Sequence, residues 1–110
     1  MGMSAKVVPL RQPGPLLVPD LRDLITRARA LAAETKNIRF DNPHVQLRIG
    51  QRGLNMRLVL ETVREGAATG QPTLDPYGDW RVKVVRTVAG RRVQVVIAVK
   101  ADHLVVVTVI

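Results

Sequence analysis

Residues 80–110 read WRVKVVRTVAGRRVQVVIAVKADHLVVVTVI, and this stretch decides the fold. It is rich in valine and isoleucine, whose branched side chains favour a pleated surface, and it predicts three strands: Trp80 to Val88, Arg91 to Lys100 and Leu104 to Ile110. Ala89-Gly90 reads as the first hairpin turn and Lys100 to His103 as the second. With Ala89-Gly90 as a two-residue loop, Trp80, Val82 and Val84 face Val99, Ile97 and Val95. Arg81, Lys83, Val85 and Thr87 then face Ala98, Val96, Gln94 and Arg92. One face is nearly all apolar and the other basic and polar, and a one-residue slip would mix the two. Helices are therefore expected on the apolar face, leaving an open face that carries Arg81, Lys83 and Arg92. Such a face suits phosphate, although a merely solvated antiparallel face would show the same pattern.

Upstream of this meander the period changes from two to that of a helix. Leu21, Leu24, Ile25, Ala28, Leu31 and Ala32 form one apolar stripe, predicting a helix from about Asp20 to Lys36 with Asp20 as its cap. A short link follows, with a strand expected around Ile38 and Phe40. Asp41 or Asn42 caps a second helix that has Pro43 near its start and ends at Gly53. Asn55 caps a third, stopped by Gly66, with Met56, Val59, Leu60 and Val63 on its buried side and Arg57 and Glu61 paired outside. Ala67 to Asp79 holds Gly70, Pro72, Pro76 and Gly78 and reads as a loop with a short strand near Thr73. Residues 1–18, with Pro9, Pro13, Gly14 and Pro15, read as an extended or disordered leader in which Lys6 to Leu10 can pair as a strand. Residues 19–110 then form a single α+β domain, N-terminal helices packed on one face of a small antiparallel β-meander.

A chain of 110 residues is long enough for one hydrophobic core. The absence of cysteine excludes disulfides, thiolate nucleophiles and cysteine zinc sites, and it fits a reducing, cytoplasmic location. No signal-peptide pattern and no apolar run of membrane-spanning length is present, so no membrane partner is expected. Seventeen Lys and Arg against nine Asp and Glu give a net charge of +8. The excess is spread along the chain and is mostly arginine, whose planar fork fits phosphate oxygens. A phosphate-rich partner, nucleic acid above all, follows from that balance.

The segment NPHVQLRIGQRGLNMRLVLETVREG, residues 42–66, holds the residues that can carry chemistry. His44, Arg48 and Arg52 recur every four residues, so at about 100° per residue they fall within about 80° of one another, as one basic ribbon beside Val45 and Ile49. An imidazole can take the proton of a ribose 2′-hydroxyl or protonate the leaving 5′-oxygen. Two guanidiniums can neutralise charge on the phosphorane between these steps. This route needs neither metal nor cofactor. A capping histidine and two carboxylate-binding arginines would leave the same pattern without chemistry. His103, beside Asp102 in the last turn, can join an acid–base pair only if the fold brings it to His44. Tyr77, after Pro76 in a loop, is placed to stack on a base, whereas Trp80 belongs with the core. The absence of HExxH, P-loop and GxGxxG patterns argues against the enzymes those motifs mark.

His44-x3-Arg48-x3-Arg52-Gly53-Leu54, followed by Val59, Gly66 and strands ending in Val107-Thr108-Val109, resembles the bacterial family called domain of unknown function 4258. The resemblance covers about residues 38–110. It implies a fold similar to the RelE-like, barnase–EndoU–colicin–RelE superfamily of ribonuclease toxins and their relatives, with the site on the sheet and its helix rim. Many members end in an aromatic residue where this chain has Ile110, and residues 1–37 have no counterpart in the family pattern. By that resemblance His44, Arg48 and Arg52 become the catalytic candidates, while the open sheet face and the loop before it supply Arg81, Lys83, Arg92 and Tyr77 as the nucleic-acid-binding ones. The expected function is a toxin-like RNA-processing protein, a metal-independent ribonuclease. Its partners would be RNA, in association with the ribosome, and a small acidic antitoxin. The alternative is a non-catalytic nucleic-acid-binding or protein-interaction module of the same fold.

Overall fold

The structure is a computed structural model that describes residues 20–40 and 42–110. The leader expected at 1–18 lies outside the described residues. The first helix, α1 (Leu21–Ala32), is capped by the Asp20 carboxylate, which accepts the Arg22 N–H at 2.8 Å. It buries Leu24, Ala28 and Ala32. It stops four residues short of the expected Lys36 because its last carbonyls are taken by side chains. Asn37 Nδ2 donates to the Leu31 carbonyl at 3.1 Å and Arg64 Nε to that of Ala32 at 2.7 Å. A 3-10 turn (Thr35–Asn37) then leads into the two-residue strand β1 (Ile38–Arg39).

Asn42 caps α2 (Pro43–Gln51), accepting the His44 N–H at 2.9 Å. The helix closes just before Gly53: the Leu54 N–H reaches back to the Ile49 carbonyl and the Gly53 N–H to that of Gly50, the double bond pattern of a Schellman end. Asn55 caps α3 (Met56–Glu65), which ends at Gly66 as expected. Its buried residues are Val59, Thr62 and Val63, while Met56 is exposed. The buried stripe is thus rotated away from Met56 and the half-buried Leu60 towards Thr62, whose hydroxyl donates to the Leu58 carbonyl at 2.8 Å and so needs no water.

The loop expected at 67–79 is instead mostly a strand, β2 (Ala67–Leu74). It pairs antiparallel with β3 (Trp80–Val88), and Gly70 to Pro72 bulge out between the pairs Thr69–Lys83 and Thr73–Arg81. Two of the four residues that read as breakers, Gly70 and Pro72, sit in the bulge, where the ladder does not need them. β3 pairs with β4 (Arg91–Val99) in the register expected from the sequence, Trp80 opposite Val99 through Val88 opposite Arg91. Ala89 and Gly90 both adopt positive φ, 50° and 78°, the tight turn that matches strand twist.

β5 (Leu104–Val109) lies on the far side of β4 and pairs in parallel with β1, so the sheet is five-stranded and mixed, in the order β1-β5-β4-β3-β2, not a three-stranded antiparallel meander. Val107 is an extra residue in β5, since Val96 opposes Thr108 while Ile97 opposes Val106. That extra residue shifts the alternation by one and allows Val106 and Val109 both to be buried. α1 and α3 cover the apolar face as expected, closing a core around Val82, Val84, Val93, Val95, Ile97, Leu104 and Val106. Trp80 packs against this core half-buried. Among the described residues no helix is long and apolar enough to cross a membrane.

Candidate nucleic-acid interface

α2 runs alongside β5 in the same direction. Asn42, at its start, lines a hollow with Val105 to Val107, and Arg48 Nε donates to the Val109 carbonyl at 3.2 Å. At the far end Arg91 holds the carbonyls of Gly53 and Arg52. The His44–Arg48–Arg52 ribbon therefore follows the outer edge of β5 for about 12 Å at about 1.5 Å per residue. Val45 and Ile49 anchor the helix in the core, which leaves His44, Arg48 and Arg52 exposed. The structure thus brings the three together, but their environments differ. Arg48 spends its Nε on a strand-edge carbonyl that no β-strand pairs among the described residues. The His44 ring and the Arg52 guanidinium make no hydrogen bond or ion pair among the described residues.

Other cations of the molecule differ in what they hold. Arg29 bonds the Gly66 carbonyl, Arg64 the end of α1, and Arg86 both Glu61 and Glu65 across the β3–α3 contact. The Arg86 hydrogen bond, reinforced by Arg57, holds the Glu61 carboxyl below its ordinary range. These are structural clamps. Lys83 and Arg92, both expected on the open face, make no ion pair or side-chain hydrogen bond among the described residues, and they lie towards the middle and one end of that face.

Arg81 behaves otherwise. Its Nε donates to Asp75 Oδ2 at 3.1 Å, and the same carboxylate accepts the Tyr77 and Asp79 N–H groups on Oδ1, at 2.9 and 3.0 Å. The Asp75 side chain is only 4 % exposed. The Asp79 N–H leads among the causes that hold this carboxyl below its ordinary value, with Tyr77 and Arg81 adding to it. Next to it, Lys100 Nζ pairs with Asp79 Oδ2 at 2.5 Å. Together these residues wall a hollow of about 390 Å³ over Ala98, Val105 and Val107 on the open face, with Tyr77 at its rim. A second hollow of about 320 Å³ shares Arg81 and is bordered by Lys83, Thr69 and Thr73.

Asp75, Asp79, Lys100 and Asn42 were not among the expected site residues. Asp-Pro-Tyr-Gly-Asp reads as turn chemistry, but only with β2 recognised as a strand does it become a hairpin turn that swings Asp75 back onto Arg81. His103 is 17 % exposed and its Nδ1 lies 2.6 Å from Asp102 Oδ1. That contact, ahead of the field of Arg39, holds the Asp102 carboxyl low. No bond joins His103 to His44. The described residues contain no group of three or more His, Cys, Asp or Glu side chains that could hold a metal ion.

The Asp75 contacts predict an acid response. A carboxyl whose folded-state pKa is depressed contributes stability above its unfolded value, about 4, and that contribution is lost as pH falls through the folded value. Asp75→Asn keeps an acceptor oxygen but no charge. Urea unfolding between pH 7 and pH 2.5 is expected to show a shallower loss of stability in Asp75→Asn than in wild type, with the variant already less stable at pH 7. Parallel profiles would mean that Asp75 carries no such linkage.

Fold and surface together define an α+β protein whose helices guard one sheet face and whose other face is open and basic. Over residues 42–110 the sequence matches the family described as Domain of unknown function (DUF4258), and the chain belongs to that family. The match begins at the cap of α2, so α1 and β1 lie outside it. No curated protein matches the sequence as a relative.

Proposed function

We propose that this protein is a toxin-like RNA-processing protein of the RelE-like kind, acting in the cytoplasm as a metal-independent ribonuclease. The observation that carries the reading is the exposed His44–Arg48–Arg52 ribbon along one edge of a sheet face whose Lys83 and Arg92 have no acidic partner among the described residues. RNA laid across that face would meet cations on the sheet and an imidazole at the rim. His44 would take the 2′-hydroxyl proton as the 2′-oxygen attacks phosphorus, with water protonating the departing 5′-oxygen, or it would protonate that oxygen while water takes the 2′ proton. Arg52 and the Nη groups of Arg48 would stabilise the phosphorane. The products would be a 2′,3′-cyclic phosphate and a free 5′-hydroxyl. A ribosome-bound RNA is a fitting substrate and a small acidic antitoxin a fitting inhibitor for so basic a surface.

The test is cleavage of RNA by purified protein with EDTA present. His44→Ala is expected to lose about 10²- to 10⁴-fold in rate, the usual worth of a general acid or base. Equal rates for variant and wild type would remove His44 from the chemistry.

A second reading is favoured by the commitment of Arg48 to a strand edge and by the His44 ring, which has no partner among the described residues. It is a non-catalytic RNA-binding module of the same fold. It expects RNA retention without cleavage, falling with salt, with a log–log slope that drops by about 0.7 for each cation removed, Lys83→Ala and Arg92→Ala alike. Absence of both cleavage and retention would leave a module that binds an acidic protein.

A further inference from the structure

We propose that the hollow between the Asp75–Asp79 turn and β5 receives one unpaired nucleobase, so that the protein selects single-stranded over double-stranded RNA. The inference rests on the RNA reading above and assigns that surface its substrate form.

Three features of the hollow point to a flat polar ring. Its floor is carbon: Ala98, Val105 and Val107, of which Ala98 is only 4 % exposed although it belongs to the open face. Its rim carries Tyr77, 85 % exposed and the most exposed large apolar side chain among the described residues. The turn that presents Tyr77 is braced by the Asp75 carboxylate, which holds the N–H groups of Tyr77 and Asp79 and the Arg81 side chain at once. An aromatic ring kept in water by a braced turn offers a stacking surface whose backbone is already ordered.

The third feature is the polar pattern. Asp79 supplies a carboxylate acceptor at the wall, and Asn42 an amide N–H₂ donor because its oxygen is engaged by the His44 N–H. Every nucleobase shows donors and acceptors side by side on its pairing edge, so this arrangement matches a base edge. In a duplex that edge is occupied by the other strand, which excludes double-stranded RNA from the hollow. Arg81 separates this hollow from the second one, where Lys83 stands beside Thr69 and Thr73. A base in the first hollow would therefore direct its phosphate towards Lys83. Arg81, already neutralised by Asp75, serves as a wall between the two. A volume of about 390 Å³ is at the small end of ordinary ligand sites, about 300–1,000 Å³, and suits one base with its sugar.

The experiment is fluorescence anisotropy of full-length protein with 2′-fluoro RNA, which cannot be cleaved through its own 2′-oxygen, as single strand and as duplex of the same sequence. Wild type is expected to bind the single strand more tightly. Tyr77→Ala is expected to weaken single-strand binding roughly 5- to 150-fold, the worth of one stacked base, while Tyr77→Phe keeps it. Tyr77 is exposed, so both variants should unfold at the wild-type temperature, and thermal scans check this. Equal single-strand binding by Tyr77→Ala and wild type overturns the base site and leaves the RNA reading intact. Equal binding of duplex and single strand by wild type overturns the selectivity. Failure of wild type to bind either form overturns the RNA reading together with the site.

Discussion

Ile97→Ala lowers the stability of the protein by about 2–5 kcal/mol, the range for removing a fully buried branched side chain and leaving the hole unfilled. Ile97 is wholly buried in β4, between Val82 on β3 and Val106 on β5, under the helices of the covered face. Domains of this size are stable by about 5–15 kcal/mol, so the loss is a large share of the total. The comparison that gives the measurement meaning is Val96→Ala, one residue away on the open face and only half-buried. It should cost well under half as much. Urea titrations of both variants read the difference as a shift in midpoint at constant slope. Equal costs would mean that the sheet does not have one covered and one open face, and the proposed RNA surface would lose its basis.

The second large effect is expected at the junction of α3 and β2. A Cβ added to Gly66 would lie 2.5 Å from the Thr62 carbonyl oxygen and 3.1 Å from that of Val85. Both are backbone atoms, so no side chain can swing aside. Helix and strand would have to part, and the Arg29 bond to the Gly66 carbonyl would stretch with them. Gly66→Ala is therefore destabilising by about 1–3 kcal/mol, the usual cost of overpacking. Gly50→Ala has the opposite sign. A methyl group on Gly50 in α2 would meet no neighbouring atom within 4 Å, and alanine there stabilises by about 0.5–1 kcal/mol through lower chain entropy. Thermal unfolding resolves both, at about 4–8 °C for each kcal/mol in a domain of this size. A neutral Gly66→Ala would show that the α3–β2 junction is looser than its geometry.

The β3–β4 hairpin was legible to the residue because two independent signals agree there. The two-residue Ala89-Gly90 loop allows one register, and only that register puts Val82, Val84, Val95 and Ile97 on one face. β2 was not legible, because Gly70 and Pro72 carry the marks of a loop and only the pairing of Thr73 with Arg81 reveals them as a bulge. The same omission hid the hollow, since Asp75 reaches Arg81 only when the Pro76-Tyr77-Gly78 segment closes a hairpin. Spacing placed His44, Arg48 and Arg52 on one ribbon, because local periodicity is enough for that. It did not show that Arg48 would bond the edge of β5, since that edge is made of residues more than half the chain away. Alternation identified Lys83 and Arg92 as outward cations, but it had no means of separating them from Arg81, whose partner Asp75 comes from the turn that joins β2 to β3.

The parallel pairing of Ile38 with Leu104 and Arg39 with Val105 has a consequence in time. Every other strand pair joins neighbours along the chain and can close through a short turn. This one must wait for both α2 and α3 and the whole antiparallel sheet to intervene before its two halves meet, and long loops close late because their entropy is lost before any contact repays it. The β2–β5 ribbon is thus the natural early structure, with the β1–β5 pairing closing across the longest loop. In the reverse direction the same pair is a two-residue clasp, the shortest ladder in the sheet, and it is the natural place for the native protein to open first.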